Sequence, residues 1–150
     1  MPSLKSEIHK SCQDLLETKI KKLESRIADL QAANSEDTKS SAGDKFETSR
    51  EMNKGEIEKS NLQLRQFIQM KSLLAKSHPE KEQSEVAFGA LVKSNEGMYY
   101  FAVPLGKIEL EKQSCFALSL ASPIGKALLG KKAGEEISFM NRQILLEAIS

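Results

Sequence analysis

A chain of 150 residues with only 39% hydrophobic and 5% aromatic residues is lean for a compact globule. It fits one domain or two small ones with a high surface-to-volume ratio. Charged residues make up 29%, yet the formal net charge is +1, so bulk electrostatics announces neither nucleic-acid nor membrane binding. No apolar segment follows Met1, and no run approaches the roughly 18 to 20 apolar residues of a membrane span, so the expected location is cytoplasmic. Cys12 and Cys115 have neither metal-ligand nor redox spacing and read as free thiols of a reducing compartment.

From Leu4 there is no proline or glycine until Gly43. Leu16, Ile20, Leu23, Ile27 and Leu30 recur at alternating spacings of four and three, which is the seam of a coiled coil. Ile8 and Cys12 extend that seam backwards, and His9 is expected on a polar, exposed side of the helix. A second helical stretch runs from about Glu47 to Lys76, its buried face marked by Ile57, Leu64, Phe67 and Leu74 and helped by Leu62, Ile68, Met70 and Leu73. The pattern weakens between Phe46 and Ile57, where Gly55 lowers helix propensity. The short connection favours antiparallel pairing within the chain, so a monomer is expected.

The connection, Asn34 to Asp44, is polar enough to stop the first helix. Ser41 can cap the second, with Asp44 in its first turn. Glu36, Asp37, Asp44 and Glu47 make this tip acidic. Such carboxylates either answer exposed helix amides or help hold a hard divalent cation. Asp44 and Glu47, three apart, point to one side of a helix. Two carboxylates are too few for a magnesium cage of their own and suffice only where another molecule supplies further ligands.

Residues 77–85 read as a linker around Pro79, with His78 at its surface. Val86 to Val92 and Met98 to Val103 then look like strands joined by Asn95-Glu96-Gly97. Tyr99, Tyr100 and Phe101 fall on the sheet faces, and Cys115 to Leu120 is a further strand. Ser122-Pro123 starts a short helix, Ile124 to Leu129, that stops at Gly130. Glu135 to Phe139 and Gln143 to Ile149 form a last strand pair around a turn at Asn141-Arg142. Lys126, Lys131 and Lys132 gather near the end of the short helix, where they suit either its C-terminus or an acidic partner surface. The fold class is therefore α+β: a helical hairpin over 1–76, with its acidic tip near 35–47, then the 77–85 linker and a small antiparallel β domain over 86–150 with one short helix.

The fifteen residues from Ser122 through Pro123, Ile124, Gly125 and Lys126 to Glu136 closely resemble the signature of the bacterial Gre-type transcription elongation (transcript cleavage) factors, GreA/GreB-like. Phe88-Gly89 is similar to the same family. The resemblance implies a coiled-coil hairpin followed by an FKBP-like domain. It implies that the latter docks on bacterial RNA polymerase at the rim of its secondary channel, through Ser122, Pro123, Ile124, Lys126, Lys131 and Lys132. The hairpin then reaches the catalytic centre, where tip carboxylates share a magnesium ion and orient a water, and the polymerase cleaves its own backtracked RNA 3′ end. On this reading the protein is not itself an enzyme. It holds no cofactor tightly alone, meets magnesium only in the polymerase complex, and binds no DNA independently.

Gly43-Asp44-Lys45-Phe46-Glu47 resembles the family's tip, which makes Asp44 and Glu47 the metal-directed acids and Glu36 and Asp37 secondary candidates. The sequence also departs from the family. Lys45 and Phe46 intervene, Thr48-Ser49-Arg50-Glu51-Met52 replaces an acid-rich helix start, and Lys39 and Lys45 partly neutralise the acids. The last hairpin turn is compressed and lacks the usual proline-glycine-rich sequence. The leading expectation is a factor that stimulates cleavage. The alternative is a Gre-like channel binder that does not promote cleavage and inhibits or modulates transcription.

Overall fold

The computed structural model describes residues 3–37 and 44–150, the side chains of 36, 37 and 44–46 excepted. Two helices, α1 (Leu4–Asp37) and α2 (Asp44–Leu74), precede six strands and a short helix. The chain divides into two compact units, one formed by Leu15–Lys71 and the other by Met1–Asp14 together with Ser72–Ser150.

In the Leu15–Lys71 unit the two helices pack antiparallel. Leu16, Ile20 and Ile27 are buried, and Leu23 and Leu30 half-buried, as the alternating spacing requires. On α2 the facing residues are Asn53, Ile57, Ser60, Leu64 and Phe67, again at spacings of four and three. Ser60 is buried and Asn53 half-buried, so this seam is polar wherever the apolar periodicity fades. Leu62 and Ile68, expected to help the seam, are instead 52% and 46% exposed. Both lie off the stripe at 57, 60, 64 and 67, and helix geometry turns them to solvent.

Cross-helix contacts fix the direction. Lys71 pairs with Glu17, Lys19 sits 5.6 Å above the Phe67 ring, and Arg26 meets Glu56 at 3.0 Å. Asn53 donates to the Asn34 side chain at 3.0 Å. As the partner number rises on one helix it falls on the other. The first helix does not stop at Asn34 but continues to Asp37. Asn34 spends its side chain on Asn53 and on the Arg50 carbonyl rather than on breaking its own helix.

The other unit is built on a sheet of β1 (Leu91–Ser94), β2 (Gly97–Phe101), β3 (Gly106–Glu109), β4 (Ser114–Leu118), β5 (Glu136–Phe139) and β6 (Arg142–Ile149), in the order β3-β4-β2-β1-β6-β5. Every neighbouring pair is antiparallel except β2 and β4. One face carries Val92, Tyr99, Phe101, Ile144 and Leu146, closed by Leu128 of α3 (Pro123–Leu128) and by Val86. The opposite face carries Leu91, Met98, Tyr100, Ile108, Cys115 and Ala117, all buried. The first turns of α1 belong to this unit, and His9 bonds to Tyr100 on that second face.

Three local readings change. Val86 to Ala90 is not strand: Gly89 sits at φ 88°, and Val86 exchanges backbone bonds with Gly130 and Lys131 instead. The short edge strand β3 escaped notice because Gly-Lys-Ile-Glu offers one apolar residue to mark it. The last hairpin turns at Met140-Asn141, with φ of 48° and 63°, rather than at Asn141-Arg142. Positive φ at both central residues is the twist a two-residue hairpin demands.

Candidate functional site: the helical tip and the 122–136 segment

Asp44 opens α2 and Glu47 lies in the same first turn. The Glu47 side chain is exposed, whereas those of Glu36, Asp37 and Asp44, and Ser41 with its expected cap, lie outside the described residues. Just behind the tip, Asn34 and Asn53 lock the two helices by amide hydrogen bonds rather than by apolar packing. Among the described residues no group of three or more His, Cys, Asp or Glu is arranged to hold a metal.

The 122–136 segment is shaped first by backbone needs. Ser122 is extended at φ −67°, ψ 159°, and its Oγ accepts from Gly125 N at 3.1 Å while donating to the Ser119 carbonyl at 2.6 Å. Pro123 occupies the first helical turn, where its missing N–H costs nothing. Gly125 is required by closeness: a Cβ there would stand 2.5 Å from Ser119 O and 2.7 Å from Leu120 Cα. Gly130, at φ 79°, ends the helix and donates to the Val86 carbonyl at 2.8 Å. The Glu135 carboxylate then accepts from Lys132 N at 2.6 Å, closing the turn on itself.

Ser122, Pro123 and Gly125 thus make the turn, and Ile124 packs against the core. What the turn presents outward is Lys126 and Lys132, both exposed, with Lys131 half-buried and Leu129 54% exposed. Three ammonium groups beside an apolar side chain suit an acidic protein surface with an apolar centre. Nothing in this turn is arranged to break a bond.

The sequence reading missed a buried polar group in the same unit. His9, expected on the surface, is 7% exposed, and its Nδ1 lies 2.8 Å from the Tyr100 hydroxyl. That hydroxyl also lies 2.7 Å from Ser77 Oγ. The signal was present: Lys5, Ile8, His9, Cys12 and Leu16 form one stripe at helical spacing, wider than the two-position seam assumed. Burial lowers the His9 pKa, with Glu80 pulling it back up and His78 and Lys5 adding to the drop. Burial also pushes the Tyr100 hydroxyl up to about 12, Cys12 to about 11 and Cys115 to about 12. Both cysteines are free and buried. His78 is exposed, 3.7 Å from Glu80.

No protein-family model matches the chain, and no curated protein matches it. Among solved structures it is similar to one described as "Structure of the transcription factor Gfh1", at 20% identity over 93% of this chain and 94% of that one, with a TM-score of 0.38. The expectation of a cleavage-stimulating factor is corrected at this point. The likeness found is to a structure described as the transcription factor Gfh1, not to one described as a cleavage factor.

Proposed function

We propose that the protein is a transcription factor of the Gre-like kind that binds RNA polymerase at its secondary channel and modulates transcription without promoting cleavage. The observation that carries this reading is the joint presence of an antiparallel helical hairpin and a β domain whose 122–136 turn resembles the Gre signature. Lys126, Lys131 and Lys132 supply contacts to an acidic surface of the polymerase, and the hairpin is the part that occupies the channel. The lysines beside the tip acids favour occupancy over metal delivery, because Lys39 and Lys45 offset the charge that a shared cation would need. On this reading the protein acts as a binding protein where polymerase works, in the cytoplasm, and as a monomer.

The test is competition on backtracked complexes. The protein should displace a cleavage factor from polymerase in a dose-dependent way while the transcript keeps its length. Reversal of Lys126, Lys131 and Lys132 to glutamate should weaken that competition by at least about tenfold, as loss of steering and contact charges does. Failure to bind polymerase at micromolar concentrations would remove the reading.

A further inference from the structure

A cavity of about 500 Å³ lies on the second face of the sheet, within the unit that joins the first turns of α1 to β1, β2 and β6. Its volume falls in the range of small-ligand sites, roughly 300 to 1,000 Å³. Leu4, Leu91 and Met98 give it an apolar wall, while Lys5, Glu80 and Glu82 bring charge to it. It owes nothing to the 122–136 turn or to the helical tip.

Lys5 is the unusual member. It is 4% exposed, and its ammonium donates to the Lys81 carbonyl at 2.8 Å. Among the described residues no carboxylate lies within ion-pair distance of it. Glu82 and Glu80 act on it through space, and burial still lowers its pKa. The second residue of a helix is also the wrong end for a cation. A leucine or methionine would pack against Leu91 and Met98 without that desolvation. The Lys81 carbonyl takes one of its three N–H groups, which leaves two for a ligand in the cavity that Lys5 lines.

We propose that this cavity binds a small zwitterion with an apolar side chain, of amino-acid to dipeptide size. Its carboxylate sits on the Lys5 ammonium, its own ammonium lies between Glu80 and Glu82, and its side chain rests on Leu4, Leu91 and Met98. The charged side chains lining the cavity, Lys5 and Lys93 against Glu80 and Glu82, cancel, which suits a ligand of no net charge. Glu80 and Glu82 are exposed at the rim while Lys5 is buried, so the ligand enters carboxylate first.

The experiment is titration of the isotope-labelled full chain with L-leucine, leucyl-leucine, leucinamide and 4-methylpentanoate, followed by amide chemical shifts. Polymerase is absent, so the outcome is independent of the function proposed above. The expected result is saturable shifts at Leu4–Ser6 and Leu91–Lys93 with leucine or its dipeptide. Leucinamide, which lacks the carboxylate, and 4-methylpentanoate, which lacks the ammonium, should each bind at least about tenfold more weakly. Lys5→Met should weaken the dipeptide by a similar factor, with the wild-type spectrum elsewhere showing that the fold is kept. The ligand series decides the question even where the variant does not fold. No saturable shift below about 10 mM, or equal binding of acid and amide, overturns the proposal.

Discussion

His9 and Tyr100, ninety-one positions apart in sequence, share a buried hydrogen bond of 2.8 Å, and Ser77 completes the chain at 2.7 Å from the same hydroxyl. The protons run either from Ser77 through Tyr100 to His9 or the reverse, because the phenol both donates and accepts. Removing the phenol oxygen therefore orphans two buried groups at once. Tyr100→Phe should lower unfolding stability by about 1 to 3 kcal/mol, the cost of buried polar atoms left without partners. Urea denaturation of the variant against wild type measures it. An unchanged midpoint would show that water replaces the hydroxyl freely.

The same histidine gives a pH dependence whose sign is fixed. Its folded pKa lies below the ordinary histidine value of 6.5, with burial as the leading cause. Below pH 6.5 the unfolded chain takes up a proton that the folded chain refuses, so stability is greatest above that pH. It falls as the pH drops through the folded pKa. Glu80 also faces this group and raises its pKa, while His78 and Lys5 lower it further. His9→Gln should therefore flatten the wild-type decline between about pH 7 and 5, as seen by thermal melts across that range.

Both thiols should be silent. Cys12 and Cys115 are fully buried, with pKa values pushed up to about 11 and about 12. The reactive thiolate is therefore scarce at neutral pH, and access is closed. A disulfide-exchange reagent at pH 8 should label neither cysteine in the native protein and both in urea. Rapid native labelling of either would show that α1 lifts from the sheet.

Two glycines inside helices should respond oppositely to the same methyl group. At Gly125 the added Cβ would meet backbone atoms at 2.5 Å and 2.7 Å, which cannot move like a flexible side chain. Gly125→Ala should cost about 1 to 3 kcal/mol and distort the lysine-bearing turn. At Gly55 nothing lies within 4 Å, so Gly55→Ala should add about 0.5 to 1 kcal/mol through helix propensity. Denaturant midpoints of the two variants check both signs.

What could be read in advance followed the strength of local periodicity. The α1 seam at Leu16, Ile20, Leu23 and Ile27 was plain because apolar side chains mark it without interruption. The α2 seam was half-legible, since Asn53 and Ser60 occupy facing positions that hydropathy cannot flag, while Leu62 and Ile68 drew attention to the wrong side. Ser122-Pro123 announced a helix start because capping is a short-range code. The parallel pairing of β2 with β4 and the burial of Lys5 and His9 could not be seen this way. They depend on partners such as Tyr100, Ala117 and Lys81, which only the folded chain brings close. At the tip, Asp44 and Glu47 stand as the sequence numbers them, on the first turn of α2.

Residues 3–14 share a compact unit with a sheet that begins only at Leu91. The β domain is thus written in two separated stretches of sequence, with Leu15–Lys71 inserted between them. A cut before Val86 would not release a finished module but one stripped along Leu91, Met98 and Tyr100. Recombination that moves residues 86–150 alone carries away a sheet with one side bare.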